Sequence, residues 1–148
     1  MHPVQIAHER DDRIKRLAGK IDRVLVDSPC SGLGTLRRNP DLKWRQSPES
    51  VAELVVKQAA ILSSAARLLK PGGRLVYATC SLLEAENEAI ALAFTEASSR
   101  EFAPMAAADA LTRAHVSDAP SLVRGDFLRL WPHRHGTDGF FGAVWERR

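Results

Sequence analysis

The sequence predicts an α/β fold built on a mostly parallel sheet, and three observations predict it. The run Ile21 to Val26 turns fully apolar, as a strand buried on both faces does. A long helix with apolar residues at three- and four-residue steps follows from Ser47, and a second strand over Arg74 to Ala78 leads into another helix. Strand, helix, strand, helix is the order of right-handed βαβ units. At 148 residues the chain has the length of one domain, enough to bury roughly 70% of the surface its unfolded form exposes. A 45% hydrophobic and 26% charged composition excludes collagen, a disulfide scaffold and wholesale disorder. No run approaches the ~18 apolar residues of a membrane span. The start, Met1-His2-Pro3-Val4-Gln5-Ile6, lacks the charged-then-apolar order of a secretory signal, so a cytoplasmic location is expected.

Taken in order, Val4 to Ile6 reads as a short strand, and Glu9 to Leu17 as a charged helix ended by Gly19. The Ile21–Val26 strand stops at Asp27-Ser28-Pro29-Cys30-Ser31-Gly32-Leu33-Gly34, where proline cannot continue a ladder and glycine permits a tight turn. Ser47 is an N-cap, Pro48 suits the first helical position, and Glu49 complements the positive end of the dipole. The stripe Val51, Leu54, Val55, Ile61, Leu62, Ala65, Leu68, Leu69 is broken by one polar residue, Gln58, and Lys70-Pro71-Gly72-Gly73 ends the helix. After the Arg74–Ala78 strand, Ser81 and Glu84 fit a capping box for a helix that turns Ile90, Ala93, Phe94 and Ala97 to the core. Residues 100–126 read as an irregular or partly helical insertion, with a short helix over Ala106 to Ala114. Phe127 to Trp131 and Phe140 to Trp145 form an antiparallel hairpin at the sheet edge. One domain spans 1–148.

Both cysteines fall just past the carboxyl ends of predicted parallel strands, the edge at which open α/β sheets bind ligands. A helix N-terminus beside Cys80 would lower its thiol from about 8.5 into the range of roughly 3.5 to 7.5, and the turn N–H groups around Cys30 would act alike. The competing reading is two inert thiols packed as small hydrophobes. Their shared edge, with Asp27 three residues before Cys30, favours chemistry. Without an export signal a structural disulfide is not expected. Gly32-Leu33-Gly34 lacks the further glycine and the Lys-Ser/Thr of a nucleotide loop. His133 and His135 have no metal-ligand spacing to the cysteines, so no metal is expected. A net charge of +3 permits a polyanionic partner. Arg37, Arg38 and Lys43 cluster around Trp44, whose ring can stack on a base, and a second basic stretch holds Arg124, Arg129, His133, Arg134 and His135.

The segment Asp27 to Gly34, followed by Arg37-Arg38-Asn39-Pro40-Asp41-Leu42-Lys43-Trp44, closely resembles the motif IV region of RNA cytosine-5 methyltransferases of the Sun/NOL1/NOP2 family. Leu69-Lys70-Pro71-Gly72-Gly73, then Tyr77-Ala78-Thr79-Cys80-Ser81 with Glu84, Glu86, Asn87 and Glu88, resemble its next motifs, and Asp138-Gly139-Phe140-Phe141 its C-terminal strand. The resemblance implies a Rossmann-like, S-adenosylmethionine-dependent methyltransferase acting on structured RNA, ribosomal or transfer. It implies Cys80 as nucleophile, Cys30 as the group that helps release product, and Asp27, with Pro29, beside cofactor and target base. Arg37, Arg38, Lys43 and Trp44 are then the expected RNA contacts. The chemistry needs these types. A thiolate adding to C6 makes C5 of cytosine enamine-like, a carboxyl group holds N3 and the exocyclic amine, and the base must leave its stack to be reached.

The family pattern also has a first strand with a Gly-rich turn and a second strand ending in an acidic residue, neither of which the chain carries. Ala7-His8 stands where a third strand would place an acidic residue at the adenine end. The expectation is a partial domain lacking the first two strands, inactive in isolation with little cofactor affinity, and self-associating through the unpaired edge of Ile21–Val26. Two other readings stay open: a non-catalytic RNA- or partner-binding module, and exchanged thiol roles with Cys30 as nucleophile, as in DNA cytosine-5 methyltransferases.

Overall fold

The computed structural model describes residues 3–148; Met1 and His2, read above for a leader, lie outside the described residues. In chain order the elements are α1 (Asp12–Lys15), β1 (Ile21–Asp27), α2 (Leu42–Arg45), α3 (Pro48–Ala66), β2 (Leu69–Thr79), α4 (Glu88–Ala97), β3 (Phe102–Met105), α5 (Ala107–Arg113), β4 (Val123–Arg124), β5 (Phe127–Leu130), α6 (Pro132–His135) and β6 (Phe140–Arg147). Among the described residues the strands form one sheet in the order β1-β2-β6-β5-β4, with β3 also on β6. The α/β class and the β1-α3-β2 crossover are as the periodicity predicts. Ser47 caps α3, its hydroxyl accepting from the Ser50 N–H at 3.2 Å.

The sheet departs from the expected parallel majority. Among the described residues only β1 and β2 pair parallel; β2-β6, β3-β6, β4-β5 and β5-β6 are antiparallel. The hairpin is also not peripheral. β6 lies between β2 and β5, and Phe141 through Trp145 are buried without a break, which a central strand covered on both faces requires.

Several boundaries move for identifiable reasons. Val4 to Ile6 is not a strand, because no neighbouring strand pairs with it among the described residues. The first helix shrinks to α1, with the Asp11 carboxylate accepting from the Arg13 N–H at 2.9 Å. Helix α3 ends at Ala66, and Leu69 opens β2 opposite Ile21 as a fully buried residue. Within residues 100–126 the helix near 106–114 is present as α5, while β3 went unread because Pro104 interrupts its pattern. In α4, Ile90, Ala91 and Phe94 are buried, whereas Ala93 and Ala97 are exposed.

The core fills the space between the sheet and α3 and α4: Val26, Leu62, Leu75, Tyr77, Ile90, Phe94, Phe141 and Trp145. The Phe94 ring meets Trp145 edge-on at 4.9 Å between centroids, and the indole Nε1 donates to Thr95 Oγ1 at 2.8 Å. At the opposite extreme, β1 has no partner on its outer edge among the described residues, and Leu25 there is 68% exposed. No helix among the described residues is long and apolar enough to cross a membrane.

Candidate active site

Parallel pairing sets the site. Asp27 lies opposite Ala78 at the carboxyl ends of β1 and β2, and Ser28 extends the pairing by donating its N–H to the Ala78 carbonyl at 2.9 Å. The two chains then leave the sheet side by side. Cys30 Sγ and Cys80 Sγ come within 3.5 Å of each other, both free thiols and both half-buried. Asp27 and Pro29 are exposed at the same edge, and Asp27 has no hydrogen-bond or ion-pair partner among the described residues.

Backbone contacts staple the loops. Gly34 donates its N–H to the Cys80 carbonyl and accepts at its own carbonyl from the Gly139 N–H, each at 2.8 Å. The approach requires glycine, since a Cβ on Gly34 would lie 2.3 Å from the Gly139 oxygen and 2.6 Å from the Cys80 oxygen. Arg38 adds a bidentate ion pair to Asp138, with Nε 3.2 Å from Oδ1. The side-chain bond and charge of Asp138 raise the Arg38 pKa further above its ordinary value.

Beneath the cysteines lies a polar cluster that joins motif residues Ser31, Thr79, Ser81, Glu86 and Asn87 to Gln58, which lies outside the motifs. The fully buried Glu86 carboxylate accepts from the Ser31 N–H at 2.8 Å, the Ser31 hydroxyl at 2.5 Å, Gln58 Nε2 at 3.0 Å and the Ser81 hydroxyl. Gln58 Nε2 also donates to the Pro29 carbonyl at 3.0 Å. Asn87 Nδ2 donates to the Ser81 carbonyl at 3.0 Å, and its Oδ1 accepts from Thr79. This replaces the expected capping box: Ser81 turns its hydroxyl to Glu86 and accepts from the Leu83 N–H, a short 3-10 turn covers Glu84–Glu86, and α4 starts only at Glu88. Cys80 is therefore not at a helix N-terminus. The signal for the cluster was Gln58, the lone polar residue in an apolar stripe, buried completely.

The electrostatics of Cys30 also reverse expectation. The Gly32 and Cys80 N–H groups favour its thiolate, but burial outweighs them and, with the adjacent Cys80 sulfur, the thiol is pushed up to about 12. Burial likewise raises Tyr77, whose hydroxyl donates to the Glu86 backbone carbonyl at 2.7 Å.

The basic surface divides into bound and free groups. Arg37 is exposed, with Nη2 3.4 Å from the Gly136 carbonyl. Lys43 Nζ sits 4.7 Å from the ring centroid of Trp44, which is 80% exposed. The second basic stretch is not one surface. Arg129 is buried, donates to the Leu82 carbonyl at 2.9 Å, lies 3.6 Å from Glu88 and stacks 4.5 Å from the Trp131 centroid. Burial lowers its pKa. The Trp131 N–H donates to His135 Nδ1 at 2.9 Å, so this ring serves its own turn.

Comparison with known proteins identifies the family. The family model for 16S rRNA methyltransferase RsmB/F matches residues 2–146. The chain is 42% identical over 147 residues to the Mycobacterium tuberculosis (strain CDC 1551 / Oshkosh) protein MT1451, covering 93% of this chain and 29% of that protein. It is 39% identical over 124 residues to ribosomal RNA small subunit methyltransferase F of Escherichia coli O139:H28 (strain E24377A / ETEC), covering 82% and 25%. Among solved structures, NSun6 from Pyrococcus horikoshii with SFG superposes with a TM-score of 0.70 at 25% identity, covering 97% of this chain and 34% of that one. The chain thus spans about a third or less of each relative's length. The fold is the Rossmann-like methyltransferase fold. The match of that family model over residues 2–146, with the relatives above, makes the chain a member of the 16S rRNA methyltransferase RsmB/F family, the Sun family of its motifs.

Proposed function

We propose that this chain is the catalytic part of an S-adenosylmethionine-dependent rRNA cytosine-5 methyltransferase, with Cys80 as nucleophile, Cys30 as the thiol that assists product release and Asp27 beside the base. The observation that carries the reading is the 3.5 Å separation of the two sulfurs on one ligand-binding edge next to Asp27.

The residues present fit one side of the cofactor. Asp27 and Pro29 are exposed at the carboxyl end of β1, and the Asp27 carboxylate is uncommitted among the described residues, so these two would hold it there. When bound, S-adenosylmethionine supplies an electrophilic methyl group. The remaining work belongs to the chain. Cys80, its proton passed to solvent, adds through sulfur to C6 of the flipped cytosine; the C–S bond forms as the C5–C6 π bond breaks and its electron density moves to C5. Asp27, beside N3, accepts from the exocyclic amine as that density builds. Loss of the C5 proton to solvent then breaks the C–S bond and returns Cys80 as a thiolate. Cys30, kept protonated by burial, donates a hydrogen bond to the departing sulfur. Arg37, Lys43 and Trp44 receive the RNA strand by charge and stacking, and Arg38 reaches it from its anchor on Asp138.

The exchanged assignment, with Cys30 as nucleophile, is disfavoured by the same burial, which opposes its thiolate. The test is mechanism-based trapping on 5-fluorocytidine RNA in reconstituted or full-length protein supplied with cofactor. Cys80→Ala should lose the covalent adduct, while Cys30→Ala should retain or accumulate it. The opposite pattern would reverse the roles, and no adduct with either thiol intact would favour a non-catalytic RNA-binding module.

A further inference from the structure

We infer that Glu86 is a positioning residue that sets the spacing of Cys30 and Cys80 through the serine that follows each of them. Its carboxylate has zero exposure, and burying such a group without partners is strongly unfavourable. It accepts four hydrogen bonds, about the full capacity of a carboxylate. Where those bonds originate is the informative part. Ser31, next in sequence to Cys30, gives two of them, from backbone and hydroxyl. Ser81, next to Cys80, gives a third. The fourth comes from Gln58, which simultaneously holds the carbonyl of Pro29, the residue before Cys30. Both cysteine loops are therefore tied, one residue from the sulfur, to a single rigid group. The two hydroxyls lie 3.1 Å apart, directly comparable with the 3.5 Å between the sulfurs. Tyr77 and the start of α4 fix Glu86 in turn: the tyrosine hydroxyl donates to its carbonyl, and Asn87 locks the Ser81 carbonyl.

A packing role alone would be met by any side chain that fills the volume, and replacing buried polar networks by apolar residues is often neutral for stability. Convergence on the two thiol loops is what distinguishes a positioning role. Glu86 touches neither sulfur by any hydrogen bond, so it acts on the chemistry through Ser31, Ser81 and Gln58. This inference rests on the proposed roles of the two thiols, and its test separates the two ideas.

The readout is intramolecular disulfide formation in the full chain with diamide, which takes two electrons and two protons from the thiol pair and becomes the hydrazine. Glu86→Gln keeps the shape, and both serine hydroxyls can rotate to accept from its amide, so pairing should stay within about tenfold of the parent. Glu86→Ala removes all four bonds, and a thiol displacement near 1 Å should slow pairing by about a hundredfold; in reconstituted or full-length protein kcat for methyl transfer should fall likewise, with KM for RNA moving less than about threefold. Should Glu86→Ala not fold by circular dichroism, Ser31→Ala and Ser81→Ala replace it. Ser31→Ala should change iodoacetamide labelling of Cys30 more than of Cys80, and Ser81→Ala the reverse. A folded Glu86→Ala that pairs its thiols at the parental rate, or serine variants with unchanged labelling of both thiols, would overturn the inference. Glu86-dependent pairing, with no RNA adduct from the reconstituted or full-length protein supplied with cofactor, would support the positioning role and overturn the methyltransferase reading instead.

Discussion

Replacing Gly34 by alanine should separate the two thiols without altering either of them. The added Cβ would sit 2.3 Å from the Gly139 carbonyl oxygen and 2.6 Å from that of Cys80, where ordinary contact starts at 3.4 Å. Both obstacles are backbone atoms, so no side-chain rotation relieves them, and the three loops must part by roughly 1 Å. That movement breaks the Gly34–Cys80 and Gly139–Gly34 hydrogen bonds, each 2.8 Å long. At about 1 kcal/mol per bond and about 1–3 kcal/mol for overpacking, the loss comes to about 3–5 kcal/mol. For a chain of this size that lowers the thermal midpoint by roughly 10 °C. Gly72→Ala is the control: its φ of +74° strains any L-residue, yet nothing lies within 4 Å, so only about 1–2 kcal/mol of backbone cost is expected. Thermal denaturation followed by circular dichroism measures the stability, and diamide pairing of Cys30 with Cys80 measures the geometry. A Gly34→Ala protein with a midpoint within about 2 °C of the parent and an unchanged pairing rate would refute the stapled-loop argument.

Because burial raises the Cys30 thiol from 9.0 to about 12, its contribution to stability is full below 9.0 and is lost as pH climbs toward the folded value. Tyr77, also raised by burial, adds a loss of the same sign, so the urea midpoint of Cys30→Ala should fall less between pH 8 and 10.5, approximate settings either side of the ordinary thiol value, than that of the parent. Equal falls would contradict the assignment of burial as the dominant cause. Trp44→Ala should leave stability within about 0.5 kcal/mol, since the ring is 80% exposed, and weaken binding of a single-stranded RNA oligonucleotide by about 1–3 kcal/mol in fluorescence anisotropy. Unchanged affinity would remove Trp44 from the RNA surface. The free edge of β1 should drive self-association of the chain, and Leu25→Lys should reduce it in sedimentation experiments. A parent chain that sediments as a monomer at moderate concentration would count against that edge as an interface.

Much of the site was legible in linear order because its parts are short and local. A strand ending in Asp27, a turn built from Pro29, Gly32 and Gly34, and a strand running into Thr79-Cys80-Ser81 each declare themselves within a few residues. The meeting of the two sulfurs was also within reach, since parallel strands joined by a helix bring equivalent ends to one edge. The thiol electrostatics were not. Turn N–H groups are visible in sequence, but the burial that overrides them depends on what packs around Cys30. Arg129 shows the same limit: it reads as a surface cation and is instead enclosed between Glu88, Trp131 and Phe141.

Periodicity, turn chemistry and motif spacing, all properties of neighbours along the chain, were sufficient for the α/β class, the β1-α3-β2 unit, the thiol-bearing loops and the family. Pairings between distant segments were not encoded in that way. The central place of β6, the hidden strand β3, and the union of Ser31, Gln58, Ser81 and Glu86 each depend on which surfaces exclude water together. A buried carboxylate takes its partners from whatever donors the packed core brings within about 3 Å, and only the folded chain decides which those are.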